Sequence, residues 1–202
     1  MWFITSLLFT IFVIVQESLL ISLSWQDYED NDIKKFLNTT EPIWTYNTTA
    51  TRRHLCKVDV MYNVTDQLIL FNRSYFRRKR KTVITKELMG KFSDEFDDEM
   101  SVGLKDVVAI TMEQLFYANE NKTCGIFMVI PQYNGIYPYY DLRVKNSAIT
   151  TGPDANCTNE FNIIGPKGRL AYNPECQEII FPPNHTSEEE TTDDNMFDLE
   201  NA

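Results

Sequence analysis

Two oppositely charged residues, Asp141 and Arg143, stand two positions apart in a run of aromatic and β-branched side chains. Such a run is typical of a β-strand, in which residues two apart point to the same face. A buried carboxylate and guanidinium need partners, because an unpaired charge away from water is costly. The two residues therefore indicate either a site for a charged ligand group or an internal ion pair that plugs the fold.

The strand with this pair belongs to a predicted hairpin that is flanked by cysteines at both ends. Its two strands are predicted over 124–130 and 137–145, and Asn134 and Gly135 between them favour a tight turn. The chain has four cysteines, and none of them have the spacing of a zinc site, so we predict no metal. An even number of cysteines in a secreted chain predicts two disulfides, with three possible pairings of Cys56, Cys124, Cys157 and Cys176.

Secretion is predicted from the N-terminal residues. The apolar run from Phe3 to Val15 is too short for a comfortable membrane span. Small residues at Ser22 and Ser24 fit a cleavage site, so residues 1–24 are predicted to be a signal peptide and the protein extracellular, with an uncleaved anchor as the alternative. Six N-glycosylation sites are predicted, at Asn38, Asn47, Asn63, Asn72, Asn121 and Asn184. A seventh sequon, at Asn156, is the poorest candidate because its middle residue is Cys157.

The negative charge of the chain is concentrated at its C-terminal end. Residues 182–202 contribute seven acidic residues and no Lys or Arg to a net charge of −10, and we predict that this tail is disordered. Residues 25–181 are then a nearly neutral single domain, which excludes a nucleic-acid partner on bulk charge. A basic run at 77–81 predicts a solvated hairpin loop, a patch for sulfated glycans or an acidic partner, or a processing site. No nucleophile motif is present, so we predict neither an enzyme nor a cofactor.

The pattern from residue 25 onward predicts one helix followed by many strands. Trp25–Asn38 has an apolar stripe with acids early and lysines late, which favours a helix. Short connections predict antiparallel strands in up-and-down order, forming a closed barrel or a sandwich. An acidic loop is predicted to end at Met100. One helical turn is predicted at Asn159–Ile164, and an extended return segment at Ala171–Phe181. The strands are predicted at Ile43–Thr49, His54–Val64, Leu68–Phe76, Thr82–Ser93, 107–118, 123–130 and 137–146.

Several segments in this order resemble the tick salivary lipocalins, the group that includes the histamine-binding proteins. The resemblance covers the whole mature core and is strongest from Tyr117 to Cys157. The segments are Leu55-Cys-Lys-Val-Asp-Val60, Ser74-Tyr75, Leu88-Met-Gly-Lys-Phe92, Tyr117-Ala-Asn-Glu-Asn-Lys-Thr-Cys-Gly125 and Asp141-Leu-Arg-Val-Lys-Asn-Ser147.

The resemblance implies a mostly β fold, an eight-stranded antiparallel up-and-down barrel with an N-terminal helix and a short C-terminal helix outside. It also implies disulfides Cys56–Cys176 and Cys124–Cys157, and a role for Trp44 in closing the barrel bottom. An eight-stranded barrel can hold one small ligand, so we expect a monomer that takes up a biogenic amine or an eicosanoid. The ligand-binding residues expected from the resemblance and the strand pattern are Trp44, Tyr46, Phe127, Val129, Tyr139, Asp141 and Arg143.

The amine-binding signature of that family is incomplete in this chain. The family has Cys-Asp, then Glu-Leu-Trp or Glu-Leu-Tyr, then Cys, whereas this chain has Cys124-Gly125, Asp141-Leu142-Arg143 and Cys157. One acid is missing and a cation replaces an aromatic residue, which favours an anionic lipid such as a leukotriene over histamine or serotonin. We therefore expect a protein that sequesters small host inflammatory mediators. The alternative is an interaction protein with a plugged barrel that binds a host protein through its loops.

Overall fold

The computed structural model describes residues 31–51, 54–77, 82–105, 107, 109–133 and 137–182. The predicted signal peptide, most of the basic run, the turn residues Asn134 and Gly135, and the tail from residue 183 lie outside the described residues.

Eight antiparallel strands form a closed barrel in which each strand pairs with the next along the chain, and β1 pairs with both β8 and β2. The predicted eight-stranded up-and-down barrel is thereby confirmed. A short ninth strand, β9 (Arg169–Leu170), pairs with the second half of β1. The barrel strands are β1 (Ile43–Thr48), β2 (Leu55–Val64), β3 (Leu68–Arg77), β4 (Thr82–Phe92), β5 (Glu99–Leu104), β6 (Thr111–Ala118), β7 (Cys124–Pro131) and β8 (Tyr139–Lys145).

Strand β5 lies partly where the sequence predicted a loop. The predicted acidic loop ran to Met100, but pairing with β4 and β6 begins at Glu99. Met100 and Val102 alternate with more exposed neighbours and are almost fully buried. Two inward apolar residues are enough to fix a short strand once both neighbouring strands are in place. In the sequence alone, two such residues give only a weak period-two signal.

A short helix, α1 (Ile33–Leu37), closes one end of the barrel. Asp32 begins this helix by accepting a hydrogen bond from the backbone N–H of Lys35, at 2.9 Å. The helix predicted from Trp25 is thus only five residues long in the described part of the chain. Its buried side chains join an apolar cluster inside the barrel, which we call the apolar floor and which includes Phe36, Phe71, Leu88, Leu115 and Phe127.

The residues after β8 pack against the outside of the barrel. They form α2 (Asn146–Ile149), α3 (Ala155–Ile164) and a 3-10 helix at Pro174–Ile179. The predicted single turn is therefore a ten-residue helix, begun by Asp154, which accepts a hydrogen bond from the N–H of Asn156. The predicted extended return is wrong over its last part, because Asn173 and Pro174 cap a helical segment.

Two disulfides hold this outer layer to the barrel. They join Cys56 to Cys176 and Cys124 to Cys157, the pairing that the family resemblance implies. The first connects residues 120 positions apart. In the chain-entropy model a loop of that size corresponds to about 4–5 kcal/mol of stabilisation. None of the helices in the described part of the chain is long and apolar enough to cross a membrane.

Candidate binding site in the barrel interior

Six charged side chains meet inside the barrel, and we call them the charge network. None of these residues is more than 6% exposed. They point inward from four strands, β2, β3, β6 and β8, because alternate residues of a strand share a face. The network contains the cations Lys57, Arg73 and Arg143 and the anions Asp59, Glu113 and Asp141.

Arg73 holds one half of the network together. Its Nε and Nη2 donate hydrogen bonds to the two carboxylate oxygens of Asp59, at 2.7 and 2.8 Å. Its Nη1 donates to Glu113 Oε1 at 3.0 Å. A bidentate guanidinium–carboxylate pair is among the strongest polar contacts in proteins. Arg73 therefore fixes the positions of both carboxylates.

Arg143 is bound less completely. Its Nη1 lies 2.6 Å from Glu113 Oε2 and 3.8 Å from Asp59 Oδ2, and its Nη2 lies 3.6 Å from Asp141 Oδ2. Nη1 and Glu113 Oε2 form a close pair, whereas Nε and Nη2 make no hydrogen bond to a described residue. The guanidinium also sits over the ring of Phe127, 4.2 Å from its centroid. Arg143 thus has buried donors that remain available.

Asp141 has its nearest cation in Lys57, not in Arg143. Lys57 Nζ donates to Asp141 Oδ2 at 2.6 Å, which is shorter than the 3.6 Å from Arg143 Nη2. The same ammonium lies 5.9 Å from the centroid of the Tyr139 ring. The internal pair predicted between Asp141 and Arg143 is therefore only a minor contact, and each residue has a closer partner on another strand.

The charges of the network change the acidity of its members. Burial by itself would raise the pKa of Glu113, but the charges of Arg143 and Arg73 outweigh it and hold that pKa well below its usual range. Burial would likewise raise the pKa of Asp141, but the charges of Lys57 and Arg143 outweigh it and lower that pKa. Burial lowers the pKa of Lys57 in spite of Asp141, and burial with the nearby acids raises the pKa of Tyr139.

The network lies above the apolar floor. Phe127 and Phe71 belong to the floor and face the guanidinium groups of Arg143 and Arg73. Tyr139 begins β8, whose last residues approach the segment after α1, where the N–H of Asn146 donates to Pro42. Tyr139 and Lys57 consequently lie toward the end of the barrel away from α1. With three cations and three anions, the network has no net charge.

Comparisons with known proteins identify the fold. Neither a family model nor a curated protein sequence matches the chain. Among solved structures, the AM182 serotonin complex matches with 16% identity over 71% of this chain and 90% of that chain, at a TM-score of 0.53. Lobster apocrustacyanin A1 matches with 8% identity over 72% of this chain and 82% of that chain, at a TM-score of 0.52. The major allergen Per a 4 from cockroaches matches with 11% identity over 73% of this chain and 91% of that chain, at a TM-score of 0.53.

The chain has the lipocalin fold. At these identities the likeness concerns the fold alone, and it does not place the chain in the tick histamine-binding group. The shared architecture is the closed eight-stranded barrel with short helices described above. Barrels of this size have an interior wide enough for side chains or for one small ligand.

Five of the residues predicted to bind a ligand come together inside the barrel. Asp141 and Arg143 belong to the network, Phe127 lies under it, and Tyr139 lies beside Lys57. Val129 is fully buried and pairs with Tyr139 across β7 and β8. Contact of these residues with a ligand remains a prediction.

Trp44 and Tyr46 lie elsewhere. The Trp44 ring packs edge-on against Tyr172 in a cluster with Ile126 and Phe161, and its indole N–H donates to Asn146 Oδ1 at 2.9 Å. Tyr46 stacks on the same Tyr172. Both residues therefore face the C-terminal segment outside the barrel, because Ile43, their neighbour in β1, takes the inward position. The expectation that Trp44 closes the barrel bottom is corrected by this placement.

Gly125 lies where the amine-binding signature has an acid. A Cβ atom at this position would lie 3.0 Å from both Leu115 Cδ1 and Phe36 Cε2. The apolar floor therefore fills the space that an acidic side chain would need at this position. Such a side chain would fit only if Leu115 or Phe36 moved.

Four network residues were missed from the sequence, namely Lys57, Asp59, Arg73 and Glu113. A signal was available for Arg73, a single buried charge between Phe71 and Tyr75 of β3, whereas Lys57 and Asp59 are two charges of the same strand. Among the described residues, no group of His, Cys, Asp and Glu is arranged to hold a metal ion.

Proposed function

We propose that this lipocalin is a secreted protein that binds one small ligand in its barrel and sequesters host inflammatory mediators. The proposed ligand carries a hydrogen-bond acceptor, and its class is an anionic lipid mediator such as a leukotriene rather than a biogenic amine. The observation that supports this proposal is the set of donors on Arg143 that make no hydrogen bond to a described residue.

The balance of donors and acceptors favours a ligand with acceptors. Apart from the close pair of Arg143 Nη1 and Glu113 Oε2, the side-chain atoms of the network without a hydrogen-bond partner among the described residues comprise Nε and Nη2 of Arg143 and one carboxylate oxygen of Asp141. Buried polar groups nearly always find a partner in the protein, in water or in a ligand. A carboxylate, carbonyl or hydroxyl oxygen would satisfy the excess donors of Arg143.

Two contacts argue against an amine in the wild-type barrel. The ammonium of Lys57 already lies on Asp141, at 2.6 Å. The position that carries a second acid in the amine-binding signature is Gly125, with Leu115 and Phe36 against it. A second ammonium would therefore meet one carboxylate that is already paired.

Secretion is part of the proposal and rests on a cleaved signal at residues 1–24. Two disulfides support it, because such bonds persist in oxidising compartments. Glycans are proposed on the exposed residues Asn38, Asn63, Asn72 and Asn121. Asn47 is a poorer site than the sequence indicated, since its side-chain oxygen is buried in β1; Asn184 lies outside the described residues.

A second candidate function is favoured by the neutrality of the network. Three cations and three anions from four strands cross the barrel interior and can act as a plug. In that case the lipocalin binds a host protein through its loops and takes up no small ligand. The calorimetric titration described next distinguishes the two functions.

The test is calorimetric titration of the refolded, disulfide-bonded protein with a leukotriene, serotonin and histamine. We expect the leukotriene to bind and the amines not to bind. The variant Arg143→Leu/Glu113→Leu removes one ion pair and keeps the network neutral, and it should weaken leukotriene binding about ten-fold or more, or about 1.4 kcal/mol.

The matched control is Arg73→Leu/Asp59→Leu, which also removes one neutral pair but leaves Arg143 with Glu113. It should retain leukotriene binding within a few-fold. Absence of leukotriene binding to the wild type would favour the plugged barrel, and binding of serotonin or histamine instead would contradict the proposed ligand class.

A further inference from the structure

A cation site inside the barrel is occupied by one of the protein's own side chains. Asp141 and Tyr139 stand two apart on β8 and present a carboxylate and an aromatic face to the same point. Lys57 Nζ lies there, 2.6 Å from Asp141 Oδ2 and 5.9 Å from the Tyr139 centroid. A carboxylate and an aromatic ring are the two groups that replace the water of a buried ammonium.

A local irregularity of β2 brings Lys57 to this site. Leu55 and Lys57 would share a face in a regular strand, yet Leu55 is 40% exposed and Lys57 is 6% exposed. The register with β3 gains one residue between Leu55 and Val58, and this bulge turns Lys57 inward. The bulge contains Cys56 in a left-handed conformation with φ of 60°.

The bulge is held from outside the barrel. Cys56 is joined to Cys176, and its N–H donates to the carbonyl of Ala171 at 2.9 Å. A left-handed cysteine is an unfavourable conformation that persists only where its surroundings fix it. The C-terminal segment therefore holds the backbone that places Lys57 on Asp141.

We infer that Lys57 is the residue that determines which ligands the barrel accepts, because its ammonium fills an internal site that otherwise suits a small primary amine. The inference deepens the proposed function and rests on its placement of the ligand in this barrel. With Lys57 present the network is neutral and the site is closed to amines. Without the ammonium the network has an excess negative charge beside Asp141, which a cationic ligand can neutralise.

The length of the lysine stem defines the probe. Replacing lysine by alanine removes three carbon atoms of the stem (Cγ, Cδ and Cε) and the ammonium, so n-propylamine carries the missing group. n-Propanol has nearly the same size and shape but no charge. The pair separates filling of a space from recognition of an ammonium by Asp141 and Tyr139.

The experiment measures thermal unfolding and calorimetric binding of wild type and Lys57→Ala at pH 7 with n-propylamine or n-propanol. We expect Lys57→Ala to unfold at a lower temperature and to be stabilised by n-propylamine and not by n-propanol. Its affinity for n-propylamine should exceed that of the wild type at least about ten-fold. Equal responses of Lys57→Ala to the amine and the alcohol, or an equal response of the wild type to the amine, would overturn the inference.

A double variant and a refolding assay keep the test decisive. Lys57→Ala/Asp141→Asn lacks the carboxylate and should not respond to n-propylamine. If Lys57→Ala refolds poorly, n-propylamine should raise the yield of disulfide-bonded protein, and an unchanged yield would count against the inference. Leukotriene binding to the wild type is measured separately, so failure of the proposed ligand class and failure of the amine rescue give different results.

Discussion

The two halves of the barrel interior are built from different chemistry on the same strands. In the apolar floor, Phe36, Leu88 and Phe127 are fully buried among other apolar side chains. In the charge network, Arg73 and Glu113 are equally buried but depend on specific hydrogen bonds. Apolar contacts are non-directional and tolerate volume-conserving changes, whereas buried ions require each partner in place. Equal burial therefore does not mean equal tolerance.

We expect the largest loss in the free energy of unfolding from Arg73→Leu. Arg73 makes three hydrogen bonds to Asp59 and Glu113, and its loss leaves two buried carboxylates short of partners. We expect a loss of about 3–5 kcal/mol in the free energy of unfolding, measured by urea denaturation with the disulfides intact. As a control, Lys35→Leu removes a cation that is 63% exposed and pairs with Asp32 at 3.3 Å. A similar loss in both variants would remove the distinction between buried and exposed ions.

Much of this architecture could be predicted from the sequence. The alternating strands, the helix that ends near Asn38 and the shared face of Asp141 and Arg143 all follow from local periodicity. The ion partners could not be predicted in this way, because Arg73 and Glu113 are 40 residues apart and Lys57 and Asp141 are 84 apart. Pairing over such distances depends on the register of the closed barrel.

Strand irregularities explain other differences between the sequence predictions and the structure. The extra residue between Leu55 and Val58 turns Lys57 into the barrel, and period-two counting cannot anticipate it. Trp44 was assigned to the interior by family analogy. Its face of β1 is covered by Tyr172, which comes from the far end of the chain.

A comparison of two changes of nearly constant volume sharpens the contrast between the halves. Glu113→Gln replaces a carboxylate that lies between Arg73 and Arg143, and we expect it to cost about 1–3 kcal/mol or more, because buried donors lose a charged acceptor. Leu88→Met in the floor should cost less than about 1.5 kcal/mol. Urea unfolding of both variants measures the difference, and a larger loss for Leu88→Met would contradict it.

Acid should weaken the network and leave the floor unaffected. The pKa values of Glu113 and Asp141 are lowered in the folded protein, so their stabilisation is present above the pKa of the unfolded chain, at about 4, and is lost as the pH falls below it. The urea midpoint should therefore decrease from pH 5 toward pH 2. In Glu113→Gln this decrease should be smaller than in the wild type. An identical pH profile for the two proteins would exclude Glu113 as a source of the acid sensitivity.

Phe127→Leu trims the floor directly beneath Arg143 and should have a moderate effect on stability. A large apolar residue remains, so we expect a loss of roughly 1–2 kcal/mol. Phe71→Leu is the matched change beneath Arg73, whose guanidinium lies farther from its ring, at 5.3 Å. Leukotriene affinity should fall more in Phe127→Leu than in Phe71→Leu, and calorimetry of the two variants measures this.

A crystal structure of the leukotriene complex would show directly whether the donors of Arg143 that lack a partner bind an acceptor of the ligand. We expect a ligand oxygen about 2.7–3.2 Å from Nε or Nη2 of Arg143, with Lys57 still paired to Asp141. A leukotriene bound outside the barrel, with Arg143 in contact only with the acids of the network, would contradict this expectation.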